Sequence, residues 1–350
     1  MTDPTAHPSF VSVFEELARP EGVSGAMVRR VFDAIFAGAW TPPQIAGLLV
    51  ALRLRPDSAE VIGAAAQAMR AVMLRVPHDF PRLLDTCGTG GDGSGTVNLS
   101  TGAALIAAAA GVPVGKHGNR AATSKAGSAD VLEALGVPLD VPAARQGHVL
   151  REARIAFLFA QAHHPAMKHA MPVRRELGIR TLFNCLGPLA NPAGATHQLL
   201  GAYDDGMRRV LAEALRGLGT ERAWVVRSTD GMDEVSPHAP TRVTELTPSG
   251  LRELTVAPED FGLEPSPAGA IRGADPAENA RVLEEVLAGK PHPARDAFVL
   301  NAAAALVVAD GIEPRAAADR AREALESGAA RRVLEDWKRV AKAERDRGGI

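Results

Sequence analysis

The segment Asp85-Thr-Cys-Gly-Thr-Gly-Gly-Asp-Gly-Ser-Gly-Thr-Val-Asn-Leu-Ser-Thr101 limits the fold of this chain more than any other. Leu83 and Leu84 lead in as the end of a short buried strand. Asn98-Leu-Ser-Thr then opens an alanine-rich helix that runs to Gly111. Between them lies a glycine-rich loop carrying Asp92. Strand, glycine loop and helix N-terminus in that order present backbone N–H groups to an anion, and phosphate is the usual ligand. Glycine serves there because the chain turns tightly, often at positive φ, and the anion must come close to the backbone. Gly88, Gly90 and Gly93 also satisfy G-x-G-x-x-G, which raises a dinucleotide fold. That fold places an acidic residue about 20 positions on to hold ribose hydroxyls. This chain has the basic and polar Val114-Gly-Lys-His-Gly-Asn-Arg120 there. A Walker A loop is excluded as well, because no G-x-x-x-x-G-K-[ST] occurs. The expected ligand is rich in phosphate and is not a dinucleotide.

A chain of 350 residues buries a substantial core and divides more readily into two domains than one. Its formal net charge of −2 supplies no basic face, so no nucleic-acid partner is expected. Cys87 and Cys185 are the only cysteines, which rules out a disulfide framework and fits a reducing compartment. The N-terminus, Met-Thr-Asp-Pro-Thr-Ala-His-Pro, lacks the basic and apolar stretches of a signal peptide. The apolar runs are too short or too interrupted to span a bilayer. A cytoplasmic protein with no membrane partner is the expectation.

Up to about Val76 the patterning is helical throughout. Met27 to Phe36 has helical apolar spacing and stops at Gly38, Thr41-Pro-Pro-Gln caps a helix running from Ile45 to Leu54, and Asp57-Ser-Ala-Glu60 begins another. From Leu83 onward, short apolar runs alternate with helical patterns, the mark of an α/β domain with a largely parallel sheet. The expected strands are Leu83–Thr86, Val112–Val114, Ile155–Phe159, Gln198–Ala202 and Ala223–Val226. The expected helices are Leu99–Ala110, Ala129–Leu135, Ala143–Ala153, Met207–Gly217, Ala277–Leu287 and Arg295–Val308. Arg242 to Val256 alternates as a hairpin around Thr247-Pro-Ser-Gly, and Arg315 to Ala343 closes the chain with one or two amphipathic helices. The fold class expected is α/β: a small N-terminal helical domain at 1–78, joined by a helical insert at 165–180, and an α/β catalytic domain at 79–350 with a mostly parallel central sheet.

Three further clusters carry chemistry. Lys116-His-Gly-Asn-Arg-Ala-Ala-Thr-Ser-Lys-Ala-Gly-Ser-Ala-Asp130 gathers cations, a carboxamide and hydroxyls in what reads as a polar loop after a short strand. Such a loop suits a sugar phosphate, though a solvated loop before the helix near Ser128 accounts for it equally well in isolation. Gly231-Met-Asp-Glu-Val-Ser236 puts Asp233 and Glu234 at the C-terminal end of a strand, where open α/β sheets bind ligands. Paired hard oxygens of that kind suit Mg²⁺ together with substrate phosphates. In Ala162-His-His-Pro-Ala-Met-Lys-His-Ala-Met-Pro-Val-Arg-Arg175, the spacing of His164 and His169 does not match a zinc site on one helical face. Arg174 is the more telling residue, because a helix-borne guanidinium can clamp a carboxylate with two bonds. Cys87 lies beside the glycine loop without an evident histidine partner.

These clusters resemble those of the anthranilate phosphoribosyltransferases. The matching pieces are Gly88-Thr-Gly-Gly-Asp92, Asn98-Leu-Ser-Thr101, Lys116-His-Gly-Asn-Arg120, His164-Pro, Val173-Arg-Arg-Glu-Leu-Gly178, Phe183-Asn-Cys-Leu-Gly-Pro-Leu-Ala-Asn-Pro192 and Asp233-Glu234. Ile35-Phe-Ala-Gly and Gln44-Ile-Ala-Gly-Leu-Leu-Val-Ala-Leu-Arg53 extend the likeness to the N-terminus. The resemblance implies a nucleoside phosphorylase/phosphoribosyltransferase-like fold, a homodimer formed through the helical domain, and an active site in the cleft between domains. It implies that Gly88, Gly91, Asp92, Thr96, Asn98, Leu99, Ser100 and Thr101 hold phosphoribosyl pyrophosphate (PRPP). Lys116, His117, Gly118, Asn119, Arg120, Ala121, Ala122, Thr123, Ser124 and Ser128 would complete that donor site. Ser100, Asp233 and Glu234 would ligate Mg²⁺, and Gly88, Asn119 and Arg174 would contact anthranilate. The chain departs from the family pattern at Gln161, where proline is usual, and at Thr123 and Ala126, where serines are common.

The chemistry implied is transfer of the phosphoribosyl group to the amine of anthranilate, a step of tryptophan biosynthesis that needs no dedicated nucleophile. Two alternatives stay open at the level of sequence: a pyrimidine nucleoside phosphorylase-like enzyme, and a non-catalytic relative that binds nucleic acid. Arg174 and the Asp233-Glu234 pair weigh against the first, and the near-neutral charge weighs against the second.

Overall fold

Serine and threonine caps set the starts of the N-terminal helices in the computed structural model, which describes residues 7–121, 125–267 and 269–348. Helix α1 (Phe10–Leu17) is capped by Ser9, α2 (Gly25–Phe36) by Ser24, and α4 (Ala59–Val72) by Ser58, each side chain accepting a backbone N–H of the first turn. Between them, α3 (Pro42–Arg53) opens with a capping box in which Gln44 accepts the N–H of Thr41 at 2.9 Å. The apolar stripes of these helices converge on Phe32, Ile35, Leu48, Leu49, Ile62 and Met69, all 6% exposed or less.

The larger unit is built on a seven-stranded sheet in the order β3-β2-β1-β4-β5-β6-β7. Its strands are β1 (Leu84–Asp85), β2 (Val114–Gly118), β3 (Ile155–Phe159), β4 (His197–Gly201), β5 (Arg222–Ser228), β6 (Thr241–Thr247) and β7 (Gly250–Val256). Pairing is parallel from β3 through β5 and antiparallel for β6 and β7. The α/β class with a helical N-terminal part and a mostly parallel sheet is therefore as expected. The sheet runs outward from β1 in both directions, so the loops after β1 and β4 part at its centre and leave a crevice at the strands' C-terminal ends.

Helices α5 (Leu99–Ala109), α6 (Ser128–Ala134), α7 (Ala143–Ala153), α8 (Ala160–His163), α9 (Met171–Leu177), α10 (Phe183–Leu189) and α11 (Asp205–Gly217) precede or interleave with the later strands. The chain closes with α12 (Pro276–Leu287), α13 (Arg295–Asp310), α14 (Pro314–Glu326) and α15 (Ala329–Gly348). The core of this unit is built from β1 to β3 and from α5 and α13, whose aliphatic faces are almost wholly buried.

Three details differ from the sequence expectations. Strand β2 extends to Gly118, so Lys116, His117 and Gly118 belong to a strand and not to a polar loop. The physical reason is that β2 is paired on both sides and its polar residues find buried partners, so polarity there does not signal solvent. The pattern at Pro165–Glu176 splits into a 3-10 turn at Pro165–His169 and α9, because Pro172 restarts the helix in its first turn. Helices α8 and α10 carry no clear sequence signal, and α10 contains Gly187 and Pro188. Helix α9 packs on α3, and Val173 of α9 with Phe183 and Leu186 of α10 enters the same apolar core as α2 and α4.

Candidate active site

The glycine loop between β1 and α5 is held from below by buried polar groups. Lys116 is 2% exposed, and its ammonium donates to the carbonyl of Thr86 at 3.0 Å and to the Ser100 hydroxyl at 3.3 Å. Burial lowers its pKa, with Asp85 and Glu234 among the negative groups that oppose the shift. Asp85, fully buried at the end of β1, accepts the N–H of His117 at 3.1 Å and the amide of Asn191 at 2.8 Å. Desolvation raises its carboxyl to about 6. Thr86 Oγ1 in turn donates to the Ser100 carbonyl at 2.8 Å, tying the loop's start to the first turn of α5.

Asp233 and Glu234, on the loop after β5, come back over this loop. Asp233 accepts the N–H of Gly90 at 3.0 Å, and Glu234 accepts the N–H of Ser100 at 3.1 Å. The Asp233 N–H faces Asp92 Oδ2 at 3.4 Å. Three carboxylates thus crowd the N-terminus of α5, and the consequence is electrostatic. Burial first, then the Asp92 carboxylate, raises Asp233 to about 7. Burial first, then Asp233 and Asp92, raises Glu234 to about 8. Close approach of the two loops depends on Gly201 at the end of β4. A β-carbon there would stand 1.6 Å from the Asp233 carbonyl oxygen, so any side chain would push the carboxylate pair away.

The remaining site residues fall into two groups. Gly88 lies beside the Asp233 carboxylate, 3.0 Å from where its β-carbon would be, and Thr96 forms a bridge to Arg272. Asn98 caps α5 and is gripped through its side chain by Asn279 of α12 and by the Ala126 carbonyl. Leu99 and Thr101 point into the core and are fully buried, which leaves their backbones as the parts near a ligand. Gly91 is exposed at the loop's outer turn.

At the end of β2, Asn119 accepts the N–H of Arg120 and the amide of Gln161 on its side-chain oxygen, and the Ser128 hydroxyl on its carbonyl. Gln161, one of the departures from the family pattern, is thus in direct contact with a predicted acceptor residue. Arg120 points toward α6, where Asp130 and Glu133 each pair with it at 2.9 Å at the protein surface. Asp130 also accepts the N–H groups of Ala121 and Gly127 and fixes both ends of the loop. Ala122, Thr123 and Ser124 lie outside the described residues.

His117 and His164 form a buried pair, Nε2 to Nε2 at 3.2 Å, with His117 Nδ1 donating to the Gly187 carbonyl at 2.8 Å. Burial, then the neighbouring imidazole, holds His117 well below its ordinary range, and burial holds His164 near 4. Both are neutral at pH 7, so they position α10 and add no charge. Arg174 on α9 stands over the Phe183 ring, 5.2 Å from its centroid, and burial lowers its pKa. No acidic side chain pairs with it among the described residues, Glu176 included. Helix α10 links it to the rest of the site, with Phe183 under Arg174 at one end and Gly187 against His117 at the other. Burial and Asp85 push the Cys87 thiol far above its usual range, which removes it as a nucleophile.

Asp85, Asp130, Asn191 and Asn279 were not singled out from sequence. Asp85 and Asp130 stand at the ends of two polar segments and Asn191 falls within Phe183–Pro192, while Asn279 carries no local signal.

Residues 80–331 match the family described as glycosyl transferase family, a/b domain, and residues 11–73 match its helical bundle domain. The anthranilate phosphoribosyltransferase of Symbiobacterium thermophilum is 47% identical over 325 residues, covering 93% of this chain and 95% of that protein. The crystal structure of anthranilate phosphoribosyltransferase from Thermus thermophilus superposes with a TM-score of 0.86 at 43% identity, covering 91% of this chain and 96% of the other. The Saccharomyces cerevisiae enzyme in complex with PRPP and Mg superposes with a TM-score of 0.89 at 29% identity, covering 95% and 98%.

Proposed function

This chain belongs to the anthranilate phosphoribosyltransferases, and on that footing we propose how its residues divide the work. The enzyme transfers the phosphoribosyl group of PRPP to the amine of anthranilate, giving N-(5-phosphoribosyl)anthranilate and pyrophosphate. The activity shared by its relatives sets aside the phosphorylase and nucleic-acid-binding alternatives.

One observation supports the donor site above the others: Asp92, Asp233, Glu234, Ser100 and Lys116 meet at the N-terminus of α5. The carboxyl groups there are hard oxygen donors crowded together, and burial with mutual repulsion raises Asp233 to about 7 and Glu234 to about 8, so a cation that displaces their protons would relieve the crowding. That set fits a divalent cation, and Ser100, Asp233 and Glu234 are the residues we assign to Mg²⁺. Held by these residues, such an ion would supply charge neutralisation to the phosphates of the leaving pyrophosphate. Gly88, Gly91, Asp92, Thr96 and Asn98 hold the diphosphate and ribose, with Leu99 and Thr101 contributing through the backbone. Lys116 supplies a fixed positive charge under the loop, and the backbone N–H groups supply oriented dipoles that need no rearrangement as charge develops.

The acceptor is held by Gly88, Asn119 and Arg174. Its amine is uncharged at pH 7, so no strong base is required, and placing it against C1′ is the chief task. Gln161 donates to the Asn119 carboxamide and orients it, while Ser128 donates to the Asn119 backbone carbonyl. Arg174 has no internal carboxylate to satisfy, which leaves its fork for the planar carboxylate of anthranilate.

The test is kinetic. A hydrogen bond to a charged group is worth about 1.5–3 kcal/mol, so Arg174→Ala is expected to raise the KM for anthranilate roughly tenfold to a hundredfold. The KM for PRPP should hold, and Arg174→Lys should recover only part of the loss. Near-wild-type kinetics in both variants would return Arg174 to a packing role over Phe183.

Among the described residues the exposed large apolar side chains are Val11, Val50, Leu54, Val72, Leu74, Met171 and Ile179, with Leu54 81% exposed. All lie on the N-terminal helices, the segment that follows them, or the helical insert, which supports a homodimer formed through that face. The two free cysteines, Cys87 and Cys185, accord with a cytoplasmic setting.

A further inference from the structure

Arg180, just beyond α9, reaches across to the glycine loop. Its guanidinium donates to the carbonyl of Gly90 at 3.2 Å and to that of Gly91 at 2.9 Å. Behind it lies the Tyr203 ring, with the guanidinium carbon 3.9 Å from the ring centroid. We propose that Arg180, seated on Tyr203, is a positioning residue that sets the glycine loop for the diphosphate of PRPP. This rests on the assignment of that loop to the donor.

The geometry follows from the planar trans peptide. In each peptide the C=O and the next N–H point in opposite directions. Fixing the carbonyls of Gly90 and Gly91 on Arg180 therefore turns the N–H groups of Gly91 and Asp92 away from it. Neither N–H has a hydrogen-bond partner among the described residues, so both stand ready for an anion. The two glycines hold φ of 66° and 80°, a conformation that side chains rarely adopt. At Gly91 a β-carbon would sit 2.3 Å from Arg180 Nη2, so the guanidinium occupies the side where a side chain would be. Glycine at 91 is favoured by its positive φ, and a side chain there would displace the Arg180 guanidinium from the two carbonyls.

Arg180 also stands on the same short segment as Arg174, with α9 ending at Leu177 between them. The segment that carries the acceptor clamp therefore braces the donor loop. Its guanidinium touches no reacting group, and its effect passes through the loop.

Calorimetric titration of pyrophosphate with Mg²⁺, and of PRPP with Mg²⁺, tests this in the full-length protein. Arg180→Ala is expected to raise both dissociation constants by about tenfold or more, because two bonds from a charged donor are lost. Arg180→Lys should restore part of that affinity, since an ammonium cannot engage both carbonyls as a fork does. Tyr203→Leu, which leaves Arg180 in place without its seat, should give a smaller loss of the same kind. The KM for anthranilate should change far less than the pyrophosphate constant. Pyrophosphate binding by Arg180→Ala that equals wild type overturns the proposal. So does an equal loss for pyrophosphate and anthranilate, which would mark general disruption. If wild-type protein itself does not bind PRPP with Mg²⁺, the donor-site assignment fails and this inference with it.

Discussion

Replacing Asp233 by Asn together with Glu234 by Gln is expected to lower kcat by about 10³-fold and to raise the Mg²⁺ concentration needed for half-maximal rate. Both changes remove charged oxygens and keep shape, so the loops over Gly201 should stay as they are. Stability gives a second and opposite readout. Each carboxyl has a folded pKa above its unfolded value, chiefly through burial and then through its acidic neighbours. Ionising such a group costs the folded state stability as pH rises from the unfolded pKa, near 4, through about 7 and about 8. In chelator at pH 8 the double variant should therefore melt higher than wild type, and at pH 4 the two should converge. Activity lost with Tm gained separates a metal-site role from misfolding. An unchanged Mg²⁺ titration would take these residues out of the metal site.

Lys116→Met is the second large effect. The ammonium lies beneath Ser100 and Thr86, where its charge acts in a poorly solvated setting and water cannot substitute for it. We expect kcat/KM for PRPP to fall by about 10²–10³-fold, the scale seen when one preorganised charge or donor is removed. Lys116→Arg should not rescue, because the site is closed around a residue only 2% exposed and a guanidinium has no room there. Melting curves should confirm that Lys116→Met folds. A variant that folds and turns over like wild type would show that the backbone N–H groups suffice without this cation.

Much of this was legible in the chain. The glycine loop, the acidic pair after β5 and Arg174 stand out because each is an unusual residue pattern at a place the strand-and-helix alternation identifies. The strand Ile155–Phe159 and the helix Ala143–Ala153 have the limits that their apolar patterns give. What misleads is buried polarity. Lys116 and His117 look like loop residues until Thr86, Asp85 and His164 supply partners that are distant in sequence. Arg120 shows in sequence only as one cation of a polar segment, and its surface pairing with Asp130 and Glu133 on α6 appears only in the fold. Arg180 gave no signal at all, since its role depends on carbonyls about ninety residues earlier. In each case the deciding contact is tertiary, and local pattern holds no record of it. The low-propensity helix α10 belongs in the same class, because packing on α4 and the Gly187 bond to His117 hold it in place of intrinsic preference.

This protein is expected to consume anthranilate only with a phosphoribosyl donor and a divalent cation together. Anthranilate fluorescence in the presence of purified wild-type protein measures that directly. It should fall with time when PRPP and Mg²⁺ are both present, and hold steady when either is left out or when EDTA is added. A steady signal in the complete mixture, or a fall that proceeds without PRPP, would show that the protein does not carry out this transfer.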